Sequence, residues 1–273
     1  MLGRTRVAVI GYPAEHSLSP AIHSAGYRLH GLDWLYSAVT LRPEELEGFV
    51  TARLRDSTWA GLSVTAPHKE AIVGYGQGNE DVLLLGAANT LILGESPSLA
   101  NTDVTGFIRA WRAKGSGRVR TLTIVGAGAT ARSVLLAASR LGVDEVTVAV
   151  RNPSRAADLI ALADVLGIAH QVVALDERLP SVELLVSTIP AAATVECAEA
   201  WAESAERVFD VVYDPWPTPL GAAASARAIP ALNGLDLLAG QAVDQFRLMT
   251  GLDVTFEFCR SAAERELRRR LQV

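Results

Sequence analysis

Residues 121–150 read TLTIVGAGATARSVLLAASRLGVDEVTVAV, and the reading of this stretch decides the fold. The opening TLTIV, residues 121–125, is short, apolar and β-branched, as a buried strand requires. Gly126-Ala127-Gly128-Ala129-Thr130-Ala131 then turns into a run with Val134, Leu135, Ala138 and Leu141 at the spacing of one helix face. Gly142 stops that helix, and residues 146–150 supply a second strand. Strand, glycine turn, helix and strand within about thirty residues make a dinucleotide-binding unit. Gly126 permits the tight turn, and Gly128 lets backbone N–H groups approach a pyrophosphate at the positive end of the helix. Ala131 takes the small position where helix meets sheet.

The residues just after the second strand select the dinucleotide. A carboxylate there would hold the ribose 2′-hydroxyl of NAD. Val150-Arg151-Asn152-Pro153-Ser154-Arg155 has no acid at the strand end and two cations close by. Arg151 is placed to fork onto a 2′-phosphate, and Arg155 to close over that phosphate or the adenine. NADP is therefore expected rather than NAD.

A chain of 273 residues is long enough for two domains, and 49% hydrophobic with 20% charged residues is the composition of a globular enzyme. The net charge of −5 argues against a general nucleic-acid or membrane surface, while leaving room for a local basic pocket. Cys197 and Cys259 lack metal-ligand spacing and suit a reducing cytoplasm without a disulfide framework. No metal site is expected. Met1-Leu2-Gly3-Arg4 runs straight into a strand, so no signal peptide is expected, and no apolar run is long enough to span a bilayer. The partner is expected to be a small-molecule substrate, with the chain acting as a monomer or homodimer.

From the start, residues 6–10 form a compact strand, and the loop from Gly11 to Pro20 opens a helix ending near Gly31, with Ser19 as its N-cap and Pro20 as first helical residue. Residues 34–40 and 59–64 read as strands, 43–54 as a helix, and Pro67 as the start of another. Residues 89–93 and 99–101 read as strands joined by the turn Gly94-Glu95-Ser96-Pro97. A helix over 104–114 ends in Gly115-Ser116-Gly117, which opens the cofactor domain. After it come a helix to Gly167 and strands near 171–173, 183–187 and 209–213. The tail is helical from Leu235 through Met249, and again with Phe256, Cys259, Ala263, Leu267 and Leu271 on one face. The alternation makes two α/β domains, 1–103 and 104–236, with helices 237–273 returning to the first and a ligand cleft expected between them.

Three constellations carry chemistry. Ser17-Leu18-Ser19-Pro20 puts two hydroxyls at a helix N-terminus, a combination that suits a carboxylate. Capping accounts for Ser19 but leaves Ser17 unexplained. Ser63-Val64-Thr65-Ala66-Pro67-His68-Lys69 sets a lysine in the first turn of the expected helix, where dipole and burial would make its ammonium a readier proton donor. On this segment alone an exposed surface lysine is the simpler reading. Asn89-Thr90 and Asn101-Thr102-Asp103 flank the expected hairpin; Asp103 either caps the next helix or partners a catalytic lysine, and Asn89 with Asp103 suits adjacent hydroxyls on a polyol.

With these motifs in order along almost its whole length, the chain resembles the shikimate dehydrogenases of aromatic amino-acid biosynthesis. The resemblance rests on Gly11-Tyr12-Pro13 with His16-Ser17-Leu18-Ser19-Pro20 and His23, on Val64-Thr65 with Pro67 and Lys69, and on Gly86-Ala87-Ala88-Asn89-Thr90. It continues in Asn101-Thr102-Asp103 with Gly106, the Gly126 turn, Val212-Tyr213-Asp214-Pro215 with Thr218-Pro219-Leu220, and Asn233-Gly234-Leu235 followed by Gln241. It implies an N-terminal substrate domain, a Rossmann-type NADP domain, and reversible reduction of 3-dehydroshikimate to shikimate by NADPH. It further implies that Ser17 and Ser19 bind the carboxylate, that Thr65, Asn89, Asp103 and Gln241 take ring hydroxyls, and that Lys69 with Asp103 is the catalytic pair. Gly126, Ala127, Gly128, Ala129, Thr130 and Ala131 with Arg151 and Arg155 would hold NADP, and Thr188 and Tyr213 would line the nicotinamide pocket. Four departures stand out: Ser63 where Asn is usual, Ala129-Thr130 for a Gly-Ala pair, Val150 for Asn before the arginine, and Leu238-Ala239-Gly240 before the glutamine. Rival readings are a quinate/shikimate dehydrogenase using NAD and a non-catalytic NADP-sensing module.

Overall fold

The computed structural model describes residues 5–114 and 117–272, so Met1-Leu2-Gly3-Arg4 and the Gly115-Ser116 break lie outside the described residues. The chain divides into two compact units, residues 1–106 with 238–273, and residues 107–237.

In the first unit β1 (Thr5–Gly11) lies between β2 (Trp34–Thr40) and β3 (Trp59–Val64), and both pairings are parallel. Beyond β4 (Gln77–Gly78), β5 (Thr90–Ile92) and β6 (Ser98–Ala100) form an antiparallel hairpin that joins β3, giving the order β2-β1-β3-β5-β6-β4. The helices are α1 (Ser19–Leu29), α2 (Leu46–Leu54) and α3 (Glu80–Leu85), followed by α4 (Thr102–Ala113), which leads out of the unit. Ala8, Ile10, Leu62, Val64, Ile72 and Leu91 are fully or almost fully buried in one apolar cluster under this sheet, as strands covered by helices require.

The expected helix at Pro67 is absent. Residues 66–70 are turns, and only a 3-10 helix follows at Ala71–Tyr75. The backbone there bonds outward: the Lys69 carbonyl accepts from the Ala88 N–H at 2.8 Å and so is not free to start a helix. The short helix α3 was not expected; Asn79 caps it through Val82 N–H, and Gly86 closes it at φ +58°.

In the second unit the strands are β7 (Thr121–Val125), β8 (Glu145–Val150), β9 (Ala169–Ala174), β10 (Leu184–Ser187), β11 (Val208–Asp210) and β12 (Ala231–Leu232), all parallel, in the order β12-β11-β10-β7-β8-β9. This is the doubly wound arrangement, and the order reverses between β7 and β10. The helices are α5 (Ala129–Arg140), α6 (Ala157–Leu166), α7 (Ala198–Glu203) and α8 (Pro219–Ala226). The strand expected over 209–213 stops at Asp210, because its carboxylate turns back to accept from Val212 N–H and from the Thr218 hydroxyl. Helices α7 and α8 also escaped the sequence reading; Trp201, Ala224 and Leu220 bury them against Leu185 and Val208.

Two helices follow. α9 (Gly234–Thr250) leads back into the first unit, where α10 (Phe256–Leu271) packs against α1.

Candidate active site

The serine loop inverts the expected roles. Helix α1 begins at Ser19, no side chain caps it, and Ser17 Oγ accepts from the Ser19 N–H at 3.2 Å. Ser19 is therefore not the N-cap, which is Leu18; its N–H goes to Ser17, and its own hydroxyl is buried without a capping role. Arg270 of α10 holds the loop from outside, donating to the carbonyls of His16 at 2.9 Å and Ser17 at 3.0 Å. Glu266 orients that guanidinium at 2.9 Å.

Lys69 and Asp103 meet in the same unit. Lys69 Nζ donates to Asp103 Oδ2 at 2.5 Å, with the side chains 12% and 8% exposed, so the pair is nearly closed off from water. The lysine owes this position to a turn pinned by Ala88, not to a helix terminus. Asp103 is not a cap either: it lies in the first turn of α4, where the helix dipole favours a carboxylate, and its N–H bonds Asn101 Oδ1 at 3.2 Å. Asn101 performs the capping, and its amide donates to Ala87 O at 3.1 Å, which ties the start of α4 to the segment before β5 that carries Asn89.

Asn89 joins the pair from the other side. Its Nδ2 donates to Asp103 Oδ1 at 3.0 Å and to Thr102 Oγ1 at 2.9 Å, while Oδ1 accepts from Thr102 N–H at 2.8 Å. Gln241 arrives from α9, its Oε1 3.4 Å from Asn89 Nδ2 and 3.3 Å from the Thr102 hydroxyl. Two glycines let the backbones of α4 and α9 come this close: a Cβ on Gly106 would lie 2.5 Å from Gln241 N, and one on Gly240 would lie 2.2 Å from Gly106 O. Thr65 is half-buried at the end of β3, and its methyl group occupies the space a Cβ on Gly11 would need, 2.3 Å away. Ser17, Ser19, Thr65, Lys69, Asn89, Asp103 and Gln241 thus all belong to one unit, and Lys69, Asn89, Asp103 and Gln241 form one bonded group.

The second unit carries the dinucleotide features. Gly126 adopts φ +101° at the end of β7, and a Cβ there would lie 2.5 Å from Thr188 Oγ1. Thr188, at the end of the adjacent β10, donates to Val125 O at 2.9 Å, so the two strand ends at the reversal point are tied together. Gly128 is the N-cap of α5, no side chain caps that helix, and a Cβ on Gly128 would meet open space. The first turn of α5, Ala129-Thr130-Ala131, thus follows a glycine that offers no capping side chain, and the start of such a helix favours an anion such as a pyrophosphate. Ala127 completes the turn. Arg151 and Arg155 are exposed just beyond β8, which suits an anion held at the rim. Tyr213 is half-buried in the segment that Asp210 and Thr218 hold off the sheet. The residues present fit a dinucleotide with an extra phosphate.

An α/β dinucleotide-binding unit, joined in one chain to a unit with a closed lysine–carboxylate pair, defines a nicotinamide-dependent oxidoreductase. A family model described as the shikimate dehydrogenase substrate binding domain matches residues 9–91. Shikimate dehydrogenase (NADP(+)) of Methanothermobacter thermautotrophicus is 33% identical, over 98% of this chain and 99% of that protein. Among solved structures, the shikimate dehydrogenase of Mycobacterium tuberculosis superposes with a TM-score of 0.87 at 34% identity, over 96% of this chain and 99% of that one. The shikimate 5-dehydrogenase of Thermus thermophilus, solved in complex with NADP(H) and shikimate, gives 0.82 at 32% identity, over 96% and 99%. The chain belongs to the shikimate dehydrogenase family.

Three polar residues of this region were not singled out from sequence for the site: Tyr36, Thr102 and Gln245. Gln245 had a signal, since it follows Gln241 by four residues and so shares its helix face among apolar neighbours.

Proposed function

We infer that this chain is an NADP-dependent shikimate dehydrogenase that reversibly reduces 3-dehydroshikimate to shikimate. The observation that carries the reading is the Lys69–Asp103 pair at 2.5 Å, largely shielded from water, with Asn89 and Gln241 bonded around it. NADPH, when bound, supplies hydride to the carbon of the ring carbonyl. Lys69 gives a proton to the carbonyl oxygen, which completes the alcohol, and regains it from water after product leaves. Asp103 keeps the ammonium aimed and accepts from the neighbouring ring hydroxyl. Asn89, Thr65 and Gln241 supply donors and acceptors for the remaining hydroxyls, and Ser17 and Ser19 receive the carboxylate beside the start of α1. Exclusion of water from so closed a pair strengthens each of these interactions. Gly126 to Ala131 hold the pyrophosphate, Arg151 and Arg155 the 2′-phosphate, and Thr188 and Tyr213 flank the nicotinamide.

The reading extends to a cytoplasmic enzyme, monomer or homodimer. Neither Cys197 nor the buried Cys259 is in a disulfide, as a reducing compartment favours, and among the described residues no helix is long and apolar enough to cross a membrane. The test is purified protein with shikimate or quinate against NADP or NAD, followed by nicotinamide absorbance. Turnover is expected with shikimate and NADP; turnover confined to NAD, or preferring quinate, overturns the assignment.

A further inference from the structure

The bonded group around Asp103 does not end at Asn89. Gln245 lies one turn beyond Gln241 on α9 and is 2% exposed. Its orientation is dictated by its partners. The Asn89 carbonyl can only accept, so Gln245 Nε2 must face it, at 2.9 Å, with the Thr90 hydroxyl taking the second N–H at 3.0 Å. Gln245 Oε1 then faces Ser63, whose hydroxyl donates to it at 2.9 Å. Having given its proton, Ser63 accepts from the Tyr36 phenol at 2.6 Å.

The direction persists toward the catalytic end. Thr90, having accepted from Gln245, donates to Asn89 Oδ1 at 2.9 Å. Thr102 N–H, a donor only, takes the same oxygen at 2.8 Å. Asn89 Nδ2 is left for Asp103 Oδ1 at 3.0 Å, and Asp103 Oδ2 for Lys69. Tyr36, Ser63, Gln245, Thr90, Asn89 and Asp103 therefore form one chain of hydrogen bonds with a single sense. All six are buried, so each lost partner leaves an unsatisfied group. At the far end the phenol stacks on His23 with ring centres 4.5 Å apart, and the Ser19 hydroxyl lies beside it. Burial raises the phenol and drives the His23 imidazole down to about 3, so both rings stay neutral and the chain begins on a neutral donor.

We propose that Gln245 is a positioning residue of this active site: it locks Asn89 and Thr90 so that the Asn89 amide holds the Asp103 carboxylate in register for Lys69, with Ser63 and Tyr36 as its anchor. The proposal rests on the proposed dehydrogenase activity and deepens it. Neither Ser63 nor Gln245 is assigned contact with substrate; their effect passes through Asn89.

The experiment compares wild type with Gln245→Met, which keeps the volume without hydrogen bonds, and Gln245→Glu, which keeps the acceptor for Ser63 but loses both donors. Both variants are expected to lose kcat about 10- to 100-fold, the usual consequence of a displaced catalytic group, with KM for NADP unchanged. Wild-type kcat in either variant overturns the proposal. Ser63→Ala cuts the chain with a smaller change in volume, and is expected to lower kcat less than Gln245→Met; an equal or larger loss would place the control at Ser63 and overturn it. The side-chain amide signals of Asn89 in a two-dimensional NMR spectrum report positioning without turnover. They should move in Gln245→Met, and unmoved signals refute the proposal. If wild type fails to oxidise shikimate, the functional reading fails, while these signals still decide what Gln245 does.

Discussion

The two units of this chain prepare their ligand sites by opposite means. In the substrate unit the work is done by side chains that bond one another before any ligand arrives: the half-buried Lys69 is linked to the buried Asp103, Asn89 and Gln241. In the dinucleotide unit the work is done by the backbone and by reach: glycines at 126 and 128, the uncapped start of α5, and two exposed arginines. A linked group shares its energetics, so removing one member disturbs the rest, and effects are not additive. Separate contacts to an anion are closer to independent. The difference predicts how each half fails: the first through turnover, the second through cofactor affinity and choice.

The largest effect should come from the linked half. Lys69→Ala is expected to reduce kcat about 10²- to 10⁴-fold, as loss of a general acid does, while shikimate binding measured by equilibrium titration stays close to wild type. Asp103→Asn combined with it should add little, because the pair acts as one unit; a fully multiplicative double variant would break the contrast between the halves.

The open half should respond by changing partners. Arg151→Asp removes the proposed fork onto the 2′-phosphate and adds repulsion. With a charged hydrogen bond at roughly 1.5–3 kcal/mol, NADP binding should weaken about 10- to 150-fold while NAD is spared. An additional Arg155→Ala should multiply that loss, in contrast to the lysine pair. An unchanged ratio of KM for NADP to KM for NAD would remove Arg151 from the site.

The serine loop lies between these extremes, since the Ser17 hydroxyl bonds a backbone group and the Ser19 hydroxyl does not cap. Replacing both by alanine should raise KM for shikimate about 10-fold, the α1 N–H groups retaining part of the carboxylate's binding, and leave kcat far less affected. A fall in kcat with KM constant would mean that the carboxylate lies elsewhere.

The smallest effect concerns the strut behind that loop. Hydrogen bonds from Arg269 and Arg270 lower the Glu266 carboxyl to about 2. Its contribution to stability is therefore present above the ordinary carboxylate range and lost as pH falls from there toward about 2. Glu266→Gln should lower Tm slightly at neutral pH, the pair being largely solvent-screened, and the difference should vanish in strong acid. A gap that is constant with pH would show that Glu266 acts through packing alone.

The dinucleotide half was the more legible of the two. Its glycine turn, flanking strands and subsequent arginines all lie within residues 121–155, and local pattern reaches that far. What escaped there were α7 and α8, rich in alanine, whose apolar faces carry little periodic contrast. In the substrate half the residue types were readable but their reasons were not. Lys69 looked like a helix residue because proline precedes it closely, whereas a hydrogen bond from Ala88, far along the chain, decides its backbone. Ser19 carried the capping signature, yet the loop before it puts Leu18 at the cap position and brings the Ser17 oxygen to the Ser19 N–H. Gln245 went unnoticed because its partners, Ser63, Asn89 and Thr90, lie more than 150 residues away.

The substrate unit is split in sequence, 1–106 and 238–273, with the whole of the other unit inserted between the halves. During synthesis this sets an order of completion. A nascent chain that has emerged as far as residue 237 holds every strand of the dinucleotide unit, yet it lacks Gln241, Gln245 and the Arg270 that holds the serine loop. The dinucleotide unit is therefore complete in the growing chain before the substrate unit, whose closing residues, 238–273, are made last.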